Sequence, residues 1–351
     1  MLSRVARAAG LGAAILSLGA FPHPSHGHEE TSSTPISTTD PVDQLRHTSG
    51  VYALTNPSDV QRADRLVAPD LIVGAHPAPN GLLSQALKNS DISSIDSTPQ
   101  HMLYQAVCPA GPTSCRQLDG EGVNRLVTQI GNHILRTAKS GDIRGYYLVD
   151  DYWADFSPLL AKIGDRIRAM APEIPLVCGV SVELRPGLTG ITSASQAGTP
   201  LHNALKNYSG DWCDAVVAYS YSSPTPSPPS GQVDWTMSSA LPSLWAGLKS
   251  RGWNEESQIL IGGPQAFNFR PRTVIRSRPI PPEYRAATSA QSLRAQVRSF
   301  CDSGAQGIIA YAWYDGSVGN VELLSNSPSL RRGYNGGIAD CTARWLVEPF
   351  N

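Results

Sequence analysis

With 351 residues and 41% hydrophobic side chains, the chain is long enough for one large barrel or two modest domains and has ample material for a core. A formal net charge of −1 supplies no positive field for a polyanion, which argues against nucleic acid as a partner. Only 16% of residues are charged, so two like charges side by side ask for a reason.

At the N-terminus, Arg4 and Arg7 precede an apolar run from Ala8 to Phe21, with small residues at Ala20, Ser25 and Gly27. This is the pattern of an export signal over residues 1–27. The run is too short and glycine-rich for a membrane span, and no later run approaches the required ~18 residues, so the mature chain is expected to be secreted and soluble. Residues 28–45 are polar, proline-bearing and aperiodic, which predicts a disordered linker ahead of a folded region at 46–351. His23, His26 and His28 fall in this tail, where short histidine tracts usually hold nothing specific.

From Gly50 onward, strand-like runs alternate with helix-like ones. The expected strands are GVYALTN (50–56), DLIVGAHP (70–77), HMLYQAV (101–107), GYYLVDD (145–151), PLVCGVSVEL (175–184), CDAVVAYSYS (213–222), QILIGGPQAF (258–267) and GIIAYAWYDG (307–316). Their near-continuous apolar character suits parallel strands covered on both faces. Between them, Leu126, Val127, Ile130, Ile134 and Leu135 share one stripe of a helix. A second helix starts with Ser157 as N-cap and Pro158 behind it, and ends before Pro172. A third spans Leu241 to Leu248, and Leu293, Val297 and Phe300 mark a fourth that ends near Gly304.

Eight strands separated by helices predict an α/β fold, a single (β/α)8 TIM barrel with long loops on the C-terminal face. The competing open doubly wound sheet lacks its G-x-G-x-x-G, and there is no P-loop. Residues 186–209, 222–232 and 270–288 read as the long loops.

Six cysteines in an exported chain favour disulfides. Cys108 and Cys115 bracket a tight local loop, and Cys301 with Cys341 would tie the last helix to the C-terminal tail. Cys178 and Cys213 are either a pair or two small buried hydrophobes. No cysteine and histidine spacing suits zinc, H-E-x-x-H is missing, and so is the G-x-S-x-G turn of serine hydrolases. The chain is therefore expected to act without cofactor or metal, as a monomer. Asn207, in the triplet NYS, is a formal glycosylation acceptor.

Chemistry in such a barrel sits where the strands end. Those positions hold Asn56, His76, Gln105, Asp150 with Asp151, Glu183, Tyr219 with Tyr221, Gln265 with Phe267, and Trp313 with Asp315, while Trp153 follows the fourth strand. Carboxylates to move a proton and stabilise an oxocarbenium ion, amides for hydroxyls and flat rings for pyranose faces are the needs of a sugar site. Asp150 and Asp151 would point to opposite sides of a continuing strand; a bend at its end lets both approach the mouth. If they lie close, their repulsion makes one a proton donor beside a carboxylate. Asp155, five residues after the first, reads instead as a helix cap, and Tyr146 and Tyr147 read as packed against helices.

The motifs GYYLVDDYW, DAVVAYSYSS, LIGGPQAFNF and GAQGIIAYAWYDG give residues 50–320 a resemblance to the TIM-barrel glycoside hydrolase superfamily. That resemblance implies a secreted enzyme on a polysaccharide or oligosaccharide, with an acid after the fourth strand. A glutamate nucleophile is expected after the seventh, where this chain has Gln265. A neutral amide is no nucleophile, so either another carboxylate serves, Glu183 and Asp315 being the available ones, or the substrate or a water does, or the barrel is catalytically silent. Similarity to chitinase-like barrels would make Asp151 the acid, Asp150 its orienting partner, Tyr219 or Tyr221 a support for an acetamide, and Trp313 the floor of the sugar site. The alternatives are an amino-sugar polysaccharide hydrolase of that mechanism, or a catalytically silent carbohydrate-binding barrel. His76, Gln105, Trp153 and Phe267 complete the expected substrate contacts.

Overall fold

The computed structural model describes residues 40–74, 81–110, 115–150, 155–181, 205–220, 244–269, 274–275, 278–279, 288–313 and 321–347. Eight parallel strands close into a barrel in sequence order: β1 (Thr48–Tyr52), β2 (Leu71–Gly74), β3 (Ser93–Asp96), β4 (Ile143–Val149), β5 (Leu176–Ser181), β6 (Ala215–Ser220), β7 (Ile259–Pro264) and β8 (Gly307–Ala310). Closure comes from β8 pairing with β1, Thr48 against Gly307 through Val51 against Ala310. Outside lie α1 (Pro57–Val67), α2 (Leu82–Asn89), α3 (Thr98–Val107), α4 (Gly120–Thr137), α5 (Ser157–Met170), α6 (described over 244–249), α7 (Ala290–Asp302) and α8 (Pro328–Val347). The expected TIM barrel is the observed fold. Among the described residues, no helix is long and apolar enough to cross a membrane.

Alternation sorts the strand residues into two cores. Leu71, Val73, Ile95, Tyr147, Val177, Val217, Tyr219, Ile259, Ile261 and Ile309 pack within the barrel. Val42 and Leu45, on a short 3-10 turn at Pro41–Leu45, join them beside Gly307, the first residue of β8, and so plug the end where the strands begin. The outer core gathers the helix stripes read from the sequence, including Leu126, Ile130 and Ile134 of α4, Leu160, Ile163 and Ile167 of α5, and Leu293, Val297 and Phe300 of α7.

Two stretches are misplaced from sequence: the linker expected to run to residue 45 gives way earlier, to the turn at Pro41–Leu45 with Val42 and Leu45 buried, and the third strand lies elsewhere. HMLYQAV belongs to α3, which opens with Thr98 and Pro99, the Thr98 N–H donating to the Asp96 side chain at 2.8 Å. Leu103 and Val107, four apart, are buried while Gln105 is exposed, which is helical spacing. The true strand is SSID, four residues whose serines disguise it. Its Ser94 hydroxyl is wholly buried and donates to the Asp142 carbonyl at 3.2 Å.

Three disulfides join Cys108 to Cys115, Cys178 to Cys213 and Cys301 to Cys341. The last ties α7 to α8, so the expected C-terminal tail is a 20-residue helix. Glycines hide its apolar stripe, because they are where it touches α7. A Cβ on Gly333 would lie 2.4 Å from the Ala290 carbonyl, and one on Gly337 2.5 Å from the Val297 Cβ. Asn207 is only 3% exposed and its Oδ1 accepts from the Phe156 N–H at 2.7 Å, so the folded chain does not offer this amide for glycosylation.

Candidate active site at the barrel mouth

The end of β4 does not keep simple alternation. Tyr146 faces outward and Tyr147 inward, but Leu148 and Val149 both pack in the outer core. The register of β4 against β5 shifts between Tyr147 and Val149, the mark of a β-bulge. Two successive outward residues reset the strand, and the next side chain, Asp150, returns to the barrel axis. There its Oδ1 lies 3.3 Å from the Tyr147 hydroxyl and its Oδ2 3.5 Å from the Tyr52 hydroxyl. Asp150 is half-buried.

Around this carboxylate the interior is lined with phenols. Tyr147 and Tyr219 meet hydroxyl to hydroxyl at 3.1 Å. Tyr52 packs edge-on to Tyr147 and to Tyr219, with ring centroids 6.0 and 6.1 Å apart, and at 5.2 Å from Tyr311. Two glycines on intervening strands make room for these rings. A Cβ on Gly179 of β5 would sit 2.0 Å from the Tyr147 hydroxyl, and one on Gly263 of β7 would sit 2.6 Å from the Tyr219 Cδ1. Burial, with the Asp150 carboxylate second in effect, holds the Tyr147 phenol well above the ordinary tyrosine range. The shift favours the neutral, donating form of the phenol.

The other expected site residues divide by place. Gln265 bridges to Tyr311 across the ends of β7 and β8; its N–H donates to Gln296 Oε1 at 3.1 Å and its Nε2 to the Phe267 carbonyl at 3.2 Å. Its Oε1 is buried without a hydrogen-bond partner. Phe267 is 7% exposed, edge-on to Tyr311 at 5.9 Å, on a short strand that pairs antiparallel with 321–323. Trp313 is fully buried in the outer core with the Arg62 guanidinium 6.0 Å from its ring, so it cannot floor a sugar site. Gln105 stands on α3 and not at a strand end, since its segment is helical. Asn56 caps α1, accepting from the Ser58 N–H at 3.1 Å. Asp151, Glu183, Asp315, His76, Trp153 and Tyr221 lie outside the described residues.

Tyr52, Tyr147 and Tyr311 are the residues that sequence reasoning missed. Tyr146 does pack outward, its hydroxyl 3.1 Å from the Thr137 Oγ1, but Tyr147 is on the axis. Strict alternation from the inward Ile309 would have found Tyr311, and an earlier end to the first strand would have found Tyr52. Among the described residues, no cluster of histidine, cysteine, aspartate and glutamate is suited to a metal ion.

No family model and no curated protein matches the sequence. Solved structures do. The endo-beta-1,4-mannanase from Thermotoga petrophila matches with a TM-score of 0.54 at 10% identity, over 85% of this chain and 77% of that one. A glycoside hydrolase family 5 mannosidase from Rhizomucor miehei gives 0.53 at 10% identity, over 86% and 94%. The endo-1,4-beta-mannanase of the same organism gives 0.51 at 11%, over 86% and 95%. At such identities the likeness is one of fold, and the fold shared with these enzymes is the TIM barrel.

Proposed function

We propose that the protein is an exported glycoside hydrolase acting on a polysaccharide, with Asp150 and Asp151 at the end of β4 carrying its chemistry. The observation that supports this most is the bulge that turns the Asp150 carboxylate onto the barrel axis, into a ring of tyrosines. The three disulfides agree with an oxidising, extracytoplasmic setting. Both Asp150 oxygens accept from phenols, which suits a carboxylate that orients a neighbour or stabilises developing positive charge. The proton to the leaving oxygen then falls to Asp151, and the second carboxylate to Glu183 or Asp315.

Gln265 favours one other reading. With an amide at the end of β7, the same cleft would bind sugar and not cut it. A panel of polysaccharides separates the two, headed by mannans because mannan-active enzymes stand among the similar structures. Wild type is expected to release reducing ends from at least one, and Asp150→Asn and Asp151→Asn each to lower kcat by roughly 10²- to 10⁴-fold. Full turnover in both variants sinks the assignment. Binding without cleavage by wild type makes the silent barrel the answer.

A further inference from the structure

We infer that Tyr147 is a positioning residue for Asp150, and that the missing side chain at Gly179 is what lets it act. The inference rests on the reading of Asp150 as part of the active site and goes further, assigning the groups that aim it. The Tyr147 ring is fully buried at the axis, and its one proton has two neighbours, the Asp150 Oδ1 at 3.3 Å and the Tyr219 oxygen at 3.1 Å. A carboxylate only accepts, so the hydrogen bonds run in one direction: Tyr219 donates to Tyr147, and Tyr147 donates to Asp150. Tyr52 donates to the other carboxylate oxygen. Held by phenols on both oxygens, Asp150 has a fixed plane, and the strand bulge alone would not give it one.

This arrangement depends on β5. The Tyr147 phenol occupies the space a side chain at position 179 would fill. An ideal Cβ there falls 2.0 Å from the phenol oxygen, 3.0 Å from the ring Cζ and 2.8 Å from the Asp150 Oδ1. A methyl group on the backbone cannot rotate away, so either the phenol or the carboxylate must leave its place. Gly179 is thus defined by the contact between Tyr147 and Asp150 and not by its own backbone.

The test titrates the Asp150 carboxyl by NMR in protein carrying ¹³C-labelled aspartate, its signal assigned by its loss in Asp150→Asn. In Tyr147→Phe the carboxylate loses a donor, and its titration midpoint is expected to rise by roughly one unit. Tyr219→Phe, one hydrogen bond further away, is expected to move it by less. On the substrate found for the wild type, Tyr147→Phe and Gly179→Ala are expected to lower kcat about tenfold or more with KM little changed. Combining Gly179→Ala with Tyr147→Phe removes the closest of the clashing atoms but leaves the 2.8 Å approach to the Asp150 Oδ1, and is expected to restore part of the melting temperature lost in Gly179→Ala alone. An Asp150 titration unmoved in Tyr147→Phe overturns the inference, even if Asp150→Asn is inactive. The converse result, a shifted titration with Asp150→Asn still active, keeps the positioning role and removes the proposed chemistry.

Discussion

Adjacent strands of this barrel both end in an aspartate, and the two have opposite surroundings. Asp96, closing β3, follows the inward Ile95 and so points outward. It is 0% exposed, its Oδ2 lies 2.5 Å from the Nε2 of a buried His133 on α4, and its Oδ1 accepts from the first N–H of α3. Asp150, one strand on, points inward because of the bulge, is half-buried, and is met by phenols. A carboxylate at a strand end is therefore not enough to mark a site. The face it takes decides whether it holds the helices to the barrel or faces the mouth.

Stability measurements can break that distinction. His133→Ala leaves the buried Asp96 without its imidazole, a loss of about 3–5 kcal/mol and roughly 10 °C in melting temperature. Asp150→Asn is expected to stay within about 1 kcal/mol of wild type, since its carboxylate is not sealed from solvent. Paired thermal melts check both. If Asp150→Asn costs as much as His133→Ala, the two aspartates do the same job and the contrast collapses.

The same pair shows what the sequence made legible. Seven strands were visible as long apolar runs, and the fold followed from counting them. Asp96 was out of reach because SSID is short and half polar, and its serines are satisfied only by the fold around them. The Asp150 and Asp151 doublet stood out by charge, yet that Asp150 faces the axis depends on a bulge, and no residue type in GYYLV announces one. Tyr147 and Gly179 were equally silent, for each has meaning only through the other across two strands. Trp313 misled in the opposite way, since an aromatic at a strand end fits an outer core as well as a sugar site.

A second, somewhat smaller effect compares the strands flanking the site. The disulfide between Cys178 in β5 and Cys213 just before β6 joins residues 35 apart in sequence, and it anchors the strand that carries Gly179. Replacing both by serine is expected to cost about 3–4 kcal/mol, mostly by freeing the unfolded chain. Replacing Cys108 and Cys115, separated by 7, should cost less because the loop is shorter. Denaturant titration of the two double variants gives the order, and a reversed order would mean that local strain outweighs loop entropy.

The smallest effect concerns Asp155, which completes the contrast as an aspartate in neither role. It was expected to be a cap, with Ser157 as the N-cap. Phe156 holds the N-cap position of α5 instead, and Asp155, one residue before it, accepts at Oδ1 from the Ser157 N–H at 2.9 Å and the Ser157 hydroxyl at 2.6 Å. The Ser157 hydroxyl, more than any other partner, holds its carboxyl below the ordinary 3.8. A carboxyl whose folded value is depressed contributes stability that is present above the unfolded value and is lost as pH falls through the folded one. Asp155→Ala is therefore expected to cost about 0.5–1 kcal/mol at neutral pH, and the gap to wild type should close as the solution is taken below pH 3.8. Urea denaturation at neutral and acid pH measures it. A gap that stays constant across that range would mean the side chain acts through packing, and Asp155 would lose its place as the ionised cap.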